Sequence, residues 1–84
     1  MAVNPVQERT EEATRDIRNE LAKARKHFGT SHTLAALQEE VGELSQAMID
    51  LEMNQVGVEN SDVYDEAVQV AAMAIRVATE GDAT

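Results

Sequence analysis

A chain of 84 residues with a formal net charge of −9, no cysteine, no tryptophan and only one tyrosine and one phenylalanine has room for one domain and a thin core. It contains no apolar run of bilayer length and no charged-then-apolar leader, so neither a membrane protein nor a secreted precursor is expected and a cytoplasmic location is. Without cysteine there are no disulfides or structural zinc to staple so small a chain, which leaves regular helix packing or oligomerisation.

Glycine and proline are sparse, and the segments between them carry helical rather than strand periodicity. The first predicted helix starts after Asn4-Pro5, a cap residue followed by a proline suited to the first turn, and runs to Phe28, with Gly29 as its stop. Ala13, Ile17, Leu21, Ala24 and Phe28 form its apolar side, whereas residues 1–12 are polar enough to fray. A second helix is predicted from Ser31 or Thr33 to about Asn54, with Leu34, Leu37, Val41, Leu44, Met48 and Leu51 alternating steps of three and four as a bundle seam does. After a short loop containing Gly57, a third helix is expected to begin at Asn60-Ser61-Asp62 and end at Gly81. Its stripe Val63, Ala67, Val70, Ala74 and Val77, with Val68, Ala71, Ala72 and Ile75 beside it, is apolar around most of the circumference. Three helices cannot cover such an element alone. The expected architecture is therefore a single all-α domain over residues 1–84, an antiparallel bundle of about three helices completed by a second copy of the chain through small residues that permit close approach.

Charge is distributed unevenly. Six of the seven basic residues lie at or before Lys26, and after it eleven acids face Arg76 alone. The shortage of clustered Lys and Arg argues against nucleic acid as a partner. On the second helix Glu40 and Glu43 are three apart, hence neighbours, and sit at the margin of the seam, where burial of bare charge is costly. Asp62, Asp65, Glu66, Gln69, Arg76 and Glu80 lie along one polar strip of the third helix. If these helices are antiparallel, Glu40 and Glu43 face Glu66 and Gln69, an oxygen-only set that suits Mg²⁺ or Mn²⁺ better than zinc. The bland alternative is a solvated acidic face. Gly42, in mid-helix at a cost of about 1 kcal/mol relative to alanine, points to a packing requirement.

The segment LAALQEEVGELSQAM, from Leu34 to Met48, with DEAVQ at Asp65 to Gln69, resembles the MazG-like all-α nucleotide pyrophosphohydrolases, whose pattern is EExxE on one helix and ExxD on the next. The resemblance extends from Phe28 to Glu80. It implies a Mg²⁺-dependent hydrolase that cuts a nucleoside triphosphate between its α- and β-phosphates, with Glu40, Glu43 and Glu66 as metal ligands and Glu39 orienting or deprotonating the water. Gln69 stands where the family has aspartate and offers one neutral carbonyl oxygen. A catalytically weakened relative is the corresponding alternative, and an acidic helical adaptor or nucleic-acid mimic is one from another class. Arg76 is a candidate for the outer phosphates or, equally, an ion-pair partner of Glu80 or of a glutamate on a neighbouring helix. Lys23, Lys26 and His27 approach the same pocket or serve the helix dipole. For the base, Phe28, His32, His27 and Tyr64 are the available ring-bearing side chains, with Phe28 and His32 flanking the turn before the second helix.

Overall fold

The computed structural model describes residues 4–27, 33–53 and 59–81; among these it contains three α-helices and no strand. Helix α1 spans Pro5–His27, α2 Thr33–Glu52 and α3 Asn60–Glu80. Asn4 caps α1 as its side chain predicts, its Oδ1 accepting from the backbone N–H of Val6 at 2.9 Å and of Gln7 at 3.4 Å, and Pro5 occupies the first helical position. The polar first turns of α1 are helical from Pro5 onward. For α3 the cap lies one residue earlier than the sequence suggests. Glu59 is the N-cap, and Asp62 closes a capping box by accepting the Glu59 backbone N–H at 2.6 Å. At the other end Gly81 adopts φ +74°, the region where a side chain is strained, and its N–H bonds to the Val77 carbonyl. Phe28, Gly29, Ser31, His32, Asn54 and Gly57 lie outside the described residues.

The bundle runs up, down and up, and α3 is its middle element. Helices α1 and α2 both pack on α3 and, among the described residues, not on each other. Thr33 at the start of α2 donates to the carbonyl of Gly81 at 2.6 Å, which fixes α2 antiparallel to α3. Arg25 reaches Glu80 and Asp16 meets Tyr64, which fixes α1 parallel to it. No helix among the described residues is long and apolar enough to cross a membrane.

The rotation of α3 about its axis departs from expectation. Its buried residues are Val68, Ala72 and Arg76, whereas Ala67 and Ala74 of the predicted apolar stripe are exposed and Val63, Val70 and Val77 are half-buried. With neighbours on two flanks, the arc of α3 centred on Gln69 is the covered one, so its polar strip turns into the cleft between α1 and α2. The alanine-rich side turns out. Helix α2 divides its seam likewise: Leu37, Leu44 and Leu51 are half-buried against α3, while Val41 and Met48 remain 44% and 49% exposed on the adjacent flank. A Cβ at Gly42 would meet nothing within 4 Å, so no packing among the described residues requires that glycine.

Arg76 occupies the core end of the polar strip with 1% exposure. Its Nε and Nη2 donate to the two oxygens of Glu80, each at 3.3 Å. Glu80 also accepts from Arg25 Nε at 2.9 Å, and Arg25 Nη2 donates to Thr79 Oγ1. Two guanidinium groups hold the Glu80 carboxyl below its ordinary range, the bond from Arg76 contributing most. This knot ties α1 to α3 where, among the described residues, the buried apolar core is Ala24, Val68 and Ala72. Arg76→Ala removes a buried, packed stem and half of the Glu80 pairing, and is expected to cost about 3 kcal/mol in urea unfolding, whereas Arg25→Ala, at an exposed position, costs under about 1 kcal/mol. Equal costs for the two would show that burial of Arg76 adds nothing.

Candidate functional site

Antiparallel packing of α2 on α3 brings Glu40 and Glu43, adjacent on one helix, against Glu66 on the other. One oxygen from each of the three carboxylates lies within 4.8 Å of the others. Glu40 and Glu66 are half-buried and Glu43 is exposed. Oε2 of Glu40 and Oε2 of Glu66 are buried without a hydrogen-bond partner among the described residues. Three anions at this spacing repel one another, and two of them have lost part of their hydration.

The titration of the cluster follows from that crowding. Burial, then the charge of and bonding to Glu43, then the same from Glu66, push Glu40 from 4.5 up to about 7. Burial, then Glu43, raise Glu66 as well. Glu43 and Glu66 therefore surround a carboxyl that holds its proton near neutrality unless positive charge is supplied.

The other residues singled out in the sequence fall in different places. Glu39 is exposed and is not one of the three convergent carboxylates. Gln69 is half-buried and lines a cavity of about 220 Å³ together with Glu20, Ala24, Glu40, Ala72 and Met73, so it sits beside the cluster at the junction of all three helices. Arg76 is buried and bound to Glu80, which realises the ion pair that sequence reasoning left open and argues against a role on phosphate. Lys26 is exposed on α1. Phe28 and His32 lie outside the described residues, and so does the side chain of His27.

Sequence reasoning missed Glu20. It stands two turns before the end of α1, carries an ordinary i,i+3 pair with Lys23 at 3.7 Å, and lines the cavity that contains Glu40 and Gln69. Its Leu21 and Ala24 neighbours mark the face of α1 that packs, and Glu20 borders that face; this is the signal that could have found it. On the far side of Gln69 a second groove, of about 380 Å³, opens between α1 and α3, and Glu20 and Gln69 line it too. There the Tyr64 hydroxyl donates to the Asp16 carboxylate, whose bond and charge, with some burial, push the phenol up to about 12 and keep it protonated.

In the unfolded chain Glu40 titrates near 4.5 and in the folded chain near 7, so between these values the folded state keeps a proton that the unfolded state has released. Stability from this group is fully present below pH 4.5 and is lost as pH rises towards 7; the lowered Glu80 acts in the opposite sense and at pH below 4.5, outside this window. The melting temperature of the metal-free protein is expected to fall across that window, and Glu40→Gln is expected to flatten the fall and to melt higher than the parent at pH 7. An unaltered profile in Glu40→Gln would show that the carboxylates do not repel one another as their geometry requires.

Comparison of the chain with family models, characterised proteins and solved structures gives no match.

Proposed function

We propose that the chain is a divalent-cation-dependent nucleoside triphosphate pyrophosphohydrolase, releasing a nucleoside monophosphate and pyrophosphate. The observation that carries this reading is the convergence of Glu40, Glu43 and Glu66 within 4.8 Å, with one buried, unpartnered oxygen on each of Glu40 and Glu66. Such atoms are costly to leave bare, and an oxygen-only donor set suits Mg²⁺ or Mn²⁺. Bound there, either ion would supply charge neutralisation at the phosphate oxygens and a more acidic water. The chain's own part is to hold that charge with three carboxylates, to position a water through Glu39 on the neighbouring flank of α2, and to place the neutral amide of Gln69 beside the cluster. This also reconciles a net charge of −9 with a polyanionic substrate, since the cation reverses the local sign. Carboxylates that converge speak against an adaptor whose acids would spread over an open face.

A second reading, a weakened relative that binds metal or nucleotide without turnover, is favoured by one observation: the cluster holds three carboxylates, and Gln69 adds no charge to it. Pyrophosphate release from a panel of ribo- and deoxyribonucleoside triphosphates with Mg²⁺ or Mn²⁺ separates the two. The parent is expected to turn over and Glu40→Gln to lose at least about two orders of magnitude in rate. Turnover gained only in Gln69→Asp points to the weakened relative. No turnover in any variant, with no rise in melting temperature on adding Mn²⁺, overturns both.

Self-association is part of the same proposal. Ala67, Ala74 and Ala78 of α3 are exposed on the side away from Gln69, and Val41 and Met48 of α2 are exposed on the flank away from Glu43. Small side chains allow close helix approach, and a second copy placed on this side leaves the carboxylates open. Light scattering after size exclusion is expected to give a dimer or tetramer, with Val41→Glu shifting it to the monomer; a monomeric parent at tens of micromolar would reject the assembly.

A further inference from the structure

Beyond the carboxylate cluster lies the groove of about 380 Å³ between α1 and α3, which shares Glu20 and Gln69 with the cavity containing Glu40. Its size is in the range of small-molecule sites. Its lining is distinctive in sign. Asp16, Glu20 and Asp65 supply three carboxylates against the single cation Lys23, and that cation is already paired with Glu20. A phosphate would be repelled there. A neutral group carrying N–H donors would be held, because carboxylates accept from exocyclic amines. The side-chain amides of Asn19 and Gln69 each offer both a donor and an acceptor, and the Tyr64 hydroxyl, tied to Asp16, adds an aromatic wall.

From this we infer that the groove is the nucleoside subsite and that it selects amino-bearing bases, cytosine or adenine, over their oxo counterparts, uracil and hypoxanthine. Gln69 then belongs to substrate recognition rather than to the ion, standing where phosphates at the carboxylate cluster would give way to the sugar and base. A uracil or hypoxanthine ring turns a carbonyl oxygen towards the same carboxylates, and that juxtaposition is repulsive.

The inference rests on the hydrolase reading for the orientation of the nucleotide, so the test measures the two separately. Mn²⁺ binding is followed by electron paramagnetic resonance, and binding of two isosteric pairs, dCMP with dUMP and AMP with IMP, by calorimetry in Mg²⁺. The amino member of each pair is expected to bind about tenfold more tightly. Asp16→Asn and Asp65→Asn each reduce that ratio, and Asn19→Ala weakens both members, while Mn²⁺ affinity stays that of the parent in the Asp16 and Asn19 variants. Equal binding of the two members, tighter binding of the oxo member, or discrimination that survives both aspartate substitutions overturns the inference and leaves the hydrolase reading standing if Mn²⁺ binds. Discrimination without Mn²⁺ binding supports the groove and removes the hydrolase; neither Mn²⁺ nor nucleotide binding overturns both.

Discussion

The structure depends on the enclosure of a charged strip. Helix α3 turns Glu66, Gln69, Arg76 and Glu80, rather than Ala67, Ala74 and Ala78, into the cleft between its two neighbours, and α2 meets that strip with Glu40 and Glu43. Three carboxylates within 4.8 Å oppose the packing they take part in. Contacts elsewhere must hold the helices in place. They concentrate at one end of the bundle, where Arg76 and Arg25 converge on Glu80 and Thr33 bonds to the Gly81 carbonyl. The same end carries the attractive charge pairs, and the middle carries the repulsive ones. That separation leaves two carboxylate oxygens in the middle of the cleft, on Glu40 and Glu66, with no hydrogen-bond partner among the described residues.

The core is correspondingly slight. Among the described residues Ala24, Val68 and Ala72 are its buried apolar side chains, small enough for α1 to approach α3 closely. The leucines of α2 contribute from half-buried positions, and several large apolar side chains stay in contact with water. A chain this short gains stability from burial in proportion to the surface it removes, and much of the surface here remains outside. The outward alanines of α3 and the exposed flank of α2 lie away from the carboxylates, so a second copy placed there could enlarge the core without closing the cleft.

Both grooves described meet at Gln69. On one side stand Glu40 and the cluster, on the other Asn19, Tyr64 and Asp65. A neutral amide at this junction separates two acidic regions of different character: one with buried oxygens that have no partner among the described residues, the other with carboxylates along an open groove, one of them bonded to Tyr64. The neutral amide of Gln69 therefore has a place in the structure of its own, between the two grooves it lines.

Much of this was legible without coordinates. Helix number, their bounds within two residues and the meeting of Glu40 and Glu43 with Glu66 follow from local signals: caps, a 3.6-residue period, and the antiparallel course that a short connection imposes. What stayed hidden depends on rotation about the helix axis. Periodicity ranks faces by hydrophobicity, so it chose Ala67 and Ala74 as core and left Arg76 on a polar surface; the structure reverses both because α3 is flanked on two sides and an arginine with a long apolar stem can be buried when Glu80 is at hand. Glu20 escaped notice for a related reason: its role depends on which helix lies across from it, a fact of packing that one strand of sequence does not contain. The sequence by itself determined the elements and the side-chain types of the cluster, because those are written in adjacent residues. Only the tertiary structure decided which faces meet, because the free energy that selects them comes from pairs far apart in the chain, such as Arg25 with Glu80 and Thr33 with Gly81.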